Sequence, residues 1–179
     1  MRVRLGFLLL LAGIIAATPA LVNAETPEAY LAKQVRHELA MLPYYTVFDH
    51  LQFQVDGNTV ILSGEVSRPV LKRDAEGVVK RIEGIGGIVN RIEVLPLSPF
   101  DDRIRGNVLR AIYTKSNLQR YALGARPSIH VIVKNGTVTL EGVVANEMDR
   151  TVANLQANMV SGVFSVTNNL RIEGERRTV

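Results

Sequence analysis

The chain states one pattern twice. The run Thr-Val-Ile-Leu-Ser-Gly-Glu-Val from Thr59 returns as Thr-Val-Thr-Leu-Glu-Gly-Val-Val from Thr137, and the offset of 78 then holds without a gap. Val60/Val138, Leu62/Leu140, Gly64/Gly142, Val66/Val144, Ala75/Ala153, Gly84/Gly162 and Asn90/Asn168 are identical pairs. Self-similarity at a fixed period means two units built alike. What repeats is turns, apolar positions and glycines, whereas acids, bases and potential nucleophiles do not repeat. The shared letters therefore keep a shape, and the unshared surface must carry the function. That is the signature of a binding module rather than a catalyst.

Each copy reads as helix, strand, strand, helix, strand. Thr26 is placed to cap a helix over 27–41 with Pro27 in its first turn, and Leu31, Val35, Leu39 and Leu42 fall on one face. Leu51, Phe53 and Val55 alternate with Gln52, Gln54 and Asp56, the period of a half-buried strand. Asp56-Gly57-Asn58 turns the chain into a return strand with Val60, Leu62, Gly64 and Val66 on one side. Leu71, Ala75, Val78, Val79 and Ile82 have helical spacing, Gly84 ends that helix, and a third strand over 88–94 closes the unit. In the second copy Ser98-Pro99-Phe100-Asp101 has cap-box spacing, Ile104, Val108 and Ile112 follow, and Asn135-Gly136 is a hairpin turn. The first helices align at offset 73 (Val35 to Val108, Leu39 to Ile112), so the loop over 114–128 is about five residues longer than its counterpart.

The expected class is α+β: two tandem αββαβ units, each a three-stranded mixed sheet with two helices on one face. The units should span 25–95 and 100–173, with a short stiff linker over 96–99 and a fraying tail over 174–179. The other sheet face should stay open, carrying Gln52, Gln54, Ile61, Ser63, Arg91 and Glu93 in one copy and His130, Ile132, Thr139, Val143, Asn169 and Arg171 in the other. Gly64 and Gly142 are read as letting a helix approach the sheet, and Asn90 and Asn168 as bonding backbone between helix and strand. In the last helix Met148, Val152, Leu155 and Met159 compete with Ala153, Ala157 and Val160 for the buried face.

Residues 1–24 have the three parts of a secretory signal: Arg2 and Arg4, an apolar stretch from Leu5, and Val22-Asn23-Ala24 as a small-x-small cleavage site. The expectation is export with cleavage after Ala24; the stretch is also just long enough to serve as a retained anchor. The chain has no cysteine, which excludes disulfides, thiolate metal sites and lipidation at a cysteine. Lys and Arg number 21 against 17 Asp and Glu, and without Arg2 and Arg4 the excess falls from +4 to +2. So small an excess is a poor fit to nucleic acid, whose affinity rests on many neutralised phosphates.

The pattern V-x-L-x-G-x-V, a helix with a central alanine, then G-[IV]-x-x-[IV]-x-N-x-[IL] resembles the BON domain. It is carried by Val60, Leu62, Gly64, Val66, Ala75, Gly84, Ile85, Ile88, Asn90 and Ile92, and by Val138, Leu140, Gly142, Val144, Ala153, Gly162, Val163, Val166, Asn168 and Leu170. The ordered set, twice, behind a signal sequence is similar to two-BON envelope proteins of the OsmY type. The resemblance implies a phospholipid-binding or envelope-associated module in the periplasm of a Gram-negative bacterium, with a link to envelope or osmotic stress. It implies no catalytic residue set and no cofactor.

No constellation of residues points to catalysis. His37, His50 and His130 have no metal or general-base spacing. Gly84-Ile85-Gly86-Gly87 fits G-x-x-G, but a strand follows it rather than a second helix, unlike the KH clamp on nucleic acid. Asp101-Asp102 favour the helix dipole. Asn135-Gly136-Thr137 fits a glycosylation acceptor and also makes a sufficient turn. The basic residues come closest to a site. Lys72, Arg73, Lys80 and Arg81 lie on the second helix of copy one; Arg103, Arg105 and Arg110 mark the first helix of copy two, with Lys115, Arg120, Tyr121 and Arg126 in the long loop. Basic groups interleaved with aromatics suit an anionic headgroup surface, where each is worth about 1 kcal/mol. Membrane-surface binding is the leading expectation. The alternative is a periplasmic chaperone or scaffold that uses Ile132 and Val143 on the open face of copy two.

Overall fold

The computed structural model describes residues 26–123 and 127–175. The expected signal and cleavage site over 1–24, Arg126, and residues 176–179 lie outside the described residues. The first unit comprises α1 (Pro27–Ala40), β1 (His50–Asp56), β2 (Thr59–Val66), α2 (Pro69–Lys80), β3 (Gly87–Asn90) and β4 (Glu93–Val94). The second comprises α3 (Pro99–Tyr113), β5 (Ile129–Lys134), β6 (Thr137–Val144), α4 (Glu147–Asn158) and β7 (Ser165–Ile172). The fold is α+β with two tandem units, as the repeat requires.

Both sheets share one topology. The middle strand pairs antiparallel with the strand before it and parallel with the strand after it, in the orders β1-β2-β3 and β5-β6-β7. A parallel neighbour needs a crossover, and α2 and α4 supply it. The third strand of copy one breaks at Arg91-Ile92 into β3 and β4, both against β2, whereas β7 runs unbroken. Helix starts follow local chemistry. Thr26 Oγ1 accepts from Ala29 N at 3.2 Å, Ser98 Oγ from Asp101 N at 3.2 Å, and Asn146 Oδ1 from Asp149 N at 2.9 Å.

Each unit has its own core. Val35, Leu39, Val60, Leu62, Leu71 and Val79 close the first; Val108, Ile112, Val131, Val138, Leu140 and Ala157 close the second. Burying a side chain of this size is worth about 1.5–3 kcal/mol. In α4 the alanine face wins: Ala153 and Ala157 are fully buried, while Met148, Leu155 and Met159 remain exposed. Within the long loop a short 3-10 turn, Gln119–Ala122, forms where the sequence pattern shows only a loop.

Two structural roles differ from expectation. Gly64 and Gly142 have φ of +104° and +130°, and a Cβ there would meet the carbonyl oxygen of His50 at 2.1 Å or of Ser128 at 1.9 Å. What crowds them is the backbone at the start of the paired strand, not a helix. Asn90 and Asn168 do not bond backbone in the turn between helix and strand. Asn90 Nδ2 donates to Lys72 O at 3.0 Å and Asn168 Nδ2 to Arg150 O at 3.0 Å, near the start of the crossover helix. Their Oδ1 atoms accept from Ile92 N and Leu170 N, two residues on. Each asparagine thus ties its strand to the far end of the helix that precedes it.

The open face of copy two is covered in part, Asn169 and Arg171 remaining exposed. Ile132 is buried and His130 half-buried, because the loop before β1 and one corner of the first sheet lie against it. Val131 N donates to Val47 O at 2.8 Å, and Phe48 packs on the second core. His130 meets the rings of Tyr45 and His50, each with centroids 5.8 Å away, and His50 faces Glu141 at 3.6 Å. Lys134 Nζ reaches Glu93 at 2.5 Å. The apolar area that the sequence places on this face is spent on joining the two units.

Candidate membrane-facing surface

The outer face of α3 presents Phe100, Arg103, Asn107 and Arg110 at helical spacing. Phe100 is 48% exposed, and the Arg103 guanidinium lies 5.8 Å from its ring centroid. Such a cation–π contact is worth about 0.5–1 kcal/mol at an exposed site. Beside Phe100, the N–H of Phe164 donates to Gly136 O at 2.9 Å, which fixes that residue against the hairpin turn with its ring 87% exposed. Arg110 bonds Asn107 Oδ1 at 2.6 Å. Among the described residues Arg103, Arg110 and Lys115 have no acidic partner. The result is one end of copy two where two aromatic rings stand in water next to Arg103, with Arg110 on the same outer face of α3 toward its other end.

Copy one has a hollow at the equivalent end. Phe100 and Phe164 correspond to Pro27 and Gly86, and there a groove of about 640 Å³ is lined by Pro27, Tyr30, Leu31, Gly57 and Gly84. Neither phenylalanine stood out in the sequence as a site residue. Their only signal is substitution between the copies: a ring replaces a proline at one position and a glycine at the other.

Three of the predicted basic and aromatic residues belong elsewhere. Arg105 is 5% exposed; it pairs with Asp102 and donates to Val133 O at 2.7 Å, so it holds α3 to β5 and offers nothing to a headgroup. The (i, i+3) spacing to Asp102 and the inward position on α3 decide this. Arg120 is paired with Asp149 and stacked 5.1 Å from the Tyr121 centroid. Tyr121 Oη donates to Asp149 Oδ2 at 2.5 Å and accepts from Ala145 N at 2.8 Å, and Asn117 adds a third bond to Asp149. Arg120 and Tyr121 therefore pin the long loop to the start of α4. Burial raises the Asp149 carboxyl, but the bonds from Tyr121, Arg120 and Asn117 outweigh it and hold the group below its ordinary range. Tyr113, half-buried with its Oη donating to Ile129 O at 2.8 Å, is pushed up to about 12, mainly by desolvation.

The basic residues of α2 form a different surface. Arg73 pairs with its neighbour Asp74, Lys72 is half-buried, Lys80 shares a groove with Glu76, and Arg81 shares one with Glu38 and Glu83. Positive and negative groups alternate there, so the face carries little net field. Among the described residues no three His, Cys, Asp or Glu cluster to hold a metal, and no helix is long and apolar enough to cross a membrane.

A family model described as BON domain matches residues 27–96 and 101–174. Solved structures of CdsD, a structural protein of the type III secretion system of Chlamydia trachomatis, are also similar. One shares 14% identity over 80% of this chain and 92% of its own, and its C-terminal domain shares 11% over 79% and 96%, both with a TM-score of 0.29. No curated protein sequence matches. BON domains are associated with phospholipid binding and with envelope and osmotic-stress proteins, and BON proteins are generally non-catalytic. With the motif present in both halves, on two units of one topology that together span most of the sequence, the chain belongs to the BON-domain family.

Proposed function

We propose that this protein is a non-catalytic module of the periplasm that binds the surface of anionic phospholipid membranes through the end of its second unit. The observation that supports it best is Arg103 stacked on exposed Phe100 beside exposed Phe164, with Arg110 and Lys115, also without acidic partners among the described residues, farther along α3 and past its C-terminus. Exposed rings of this size partition into the headgroup–acyl boundary, and the arginines add an attraction that salt screens. Arg105, Arg120 and Tyr121 contribute by fixing α3 and the loop. Export rests on the signal-like residues 1–24, and periplasmic residence on the association of BON domains with envelope proteins.

Co-sedimentation with vesicles tests the reading. Binding to anionic vesicles that falls with salt, little binding to zwitterionic ones, and loss in Arg103→Glu/Arg110→Glu supports it. No binding at low salt overturns it.

A further inference from the structure

The two units share one backbone frame where the first helix meets the hairpin tip. Phe164 N donates to Gly136 O at 2.9 Å in the second unit, and Gly86 N donates to Asn58 O at 2.9 Å in the first. A carboxylate in the first turn of the helix holds the hairpin in both: Asp101 accepts from Asn135 N and Gly136 N, and Glu28 from Gly57 N. The side chains hung on this frame differ.

In the second unit a ring fills the angle between helix and turn. A Cβ on Gly162 would lie 3.2 Å from Phe100 Cζ, and one on Gly136 would lie 3.8 Å from Phe100 Cε1, so the ring rests on two glycines. In the first unit offset 73 puts Pro27 at the place of Phe100, and offset 78 pairs Gly84 with Gly162. A Cβ on Gly84 would meet Leu31 Cδ2 at 3.4 Å and, among the described residues, nothing else within 4 Å. The place of the ring is therefore vacant, and the groove of about 640 Å³ occupies it, lined by Pro27, Leu31, Gly57 and Gly84 together with the exposed Glu28 and Glu83. Among the described residues no basic side chain lines it.

The second unit carries a ring that nothing covers. Phe164 is 87% exposed, and its sequence neighbours Ser161, Val163 and Ser165 are uncharged. The charge beside it is Arg103, over Phe100, which has no acidic partner among the described residues.

We propose that the groove of one copy receives Phe164 of a second copy, with the incoming Arg103 meeting Glu28 and Glu83. A phenylalanine ring fits because the equivalent place in the second unit holds one. Charge selects the second copy as its source: the charged residues lining the groove are acidic, and the exposed ring comes with an arginine that no carboxylate neutralises. Groove and ring lie on different units, so the contact is heterologous; each pairing leaves one groove and one ring free, and copies add in a row. The inference does not rest on the membrane reading, although both draw on Phe164 and Arg103.

Sedimentation of the full chain without lipid, over rising protein concentration, tests it. The expected mass climbs past two copies and climbs less at high salt. Phe164→Ser, and Pro27→Phe, which gives copy one the ring of copy two, should each weaken self-association about tenfold or more, with melting temperature confirming that both variants fold. Mixed one to one, the variants should form a pair and stop there, since one keeps only its groove and the other only its ring. Pro27→Phe lies outside the α3 surface and should keep the affinity for anionic vesicles, so a failure of self-association and a failure of membrane binding are read separately. A chain that stays single at every concentration, association unchanged in both folded variants, or a mixture that grows beyond pairs overturns the proposal. A single chain whose Leu31 and Gly84 amides shift with N-acetyl-phenylalanine amide overturns the second copy and assigns the groove to a ring of another protein. The same shift seen only when residues 1–24 are removed overturns it too and assigns the groove to the chain's own beginning.

Discussion

The carboxylate of Asp101 accepts the backbone N–H of Gly136 at 2.9 Å and, through its other oxygen, that of Asn135 at 3.0 Å. The first turn of α3 is thereby bolted to the tip of the β5–β6 hairpin. In copy one Glu28 makes the corresponding bond to Gly57 N at 3.1 Å, but from an exposed position. The same device is buried in one copy and wet in the other. It also fixes the ground on which Phe100 and Phe164 stand.

Asp101→Ala should therefore destabilise the second unit by about 2–3 kcal/mol, since it strips a charged acceptor from two donors. Glu28→Ala should cost under about 1 kcal/mol, because water replaces the lost bond. Urea denaturation of the two variants checks the difference.

Gly142→Ala and Gly64→Ala should each cost about 3 kcal/mol or more, through a left-handed φ together with a Cβ inside the van der Waals shell of a carbonyl oxygen. Replacing Gly106, which has open space around it and lies in a helix, should stabilise by about 0.4–1 kcal/mol when changed to alanine. Thermal melts of the three variants distinguish a shape-keeping glycine from a tolerated one.

His130 gives the junction between the units a pH dependence. Burial, and then the neighbouring His50, lower its pKa from 6.5, against bonds to the backbone of Asp49 and Thr46 and the charge of Asp49. A base whose folded pKa is lowered is held neutral in the fold, so its contribution to stability is complete above the unfolded value of 6.5. As the pH falls below that value, the unfolded chain takes up the proton first and the junction weakens. The melting temperature should drop between pH 7.5 and pH 5, and His130→Gln should flatten the drop.

Arg105→Ala should lower stability by about 1.5–3 kcal/mol, through the lost charged bond to Val133 O, while leaving vesicle affinity per folded molecule unchanged. Arg103→Ala should do the reverse. Denaturation and vesicle binding measured on both proteins separate an arginine that holds the fold from one that meets a ligand.

Fold and site were unequally legible in the sequence. Apolar period, caps and the two hairpin turns are local, and they carried the element order of both units. Asn90 and Asn168 were recognisable as structural, but their partners, the Lys72 and Arg150 carbonyls, lie 18 residues back, beyond the reach of a local reading. The basic cluster of copy two was visible as composition only. Which arginines face water depends on a rotation of α3 about its axis that turns Arg105 under β5 and Arg103 outward. Ile132 looked exposed because its face is open within its own unit; its neighbours Val131 and His130 meet Val47 and Tyr45, in a loop some eighty residues earlier in the chain.

The most direct test of the account is residue-resolved contact with a membrane. Amide signals of the isotope-labelled chain are followed as anionic phospholipid nanodiscs are added, with a zwitterionic set as control. The account predicts broadening that centres on Phe100, Arg103, Arg110 and Phe164, occurs with the anionic discs and recedes with salt. Broadening centred on α2 or α4, or equal broadening with both kinds of disc, would contradict it.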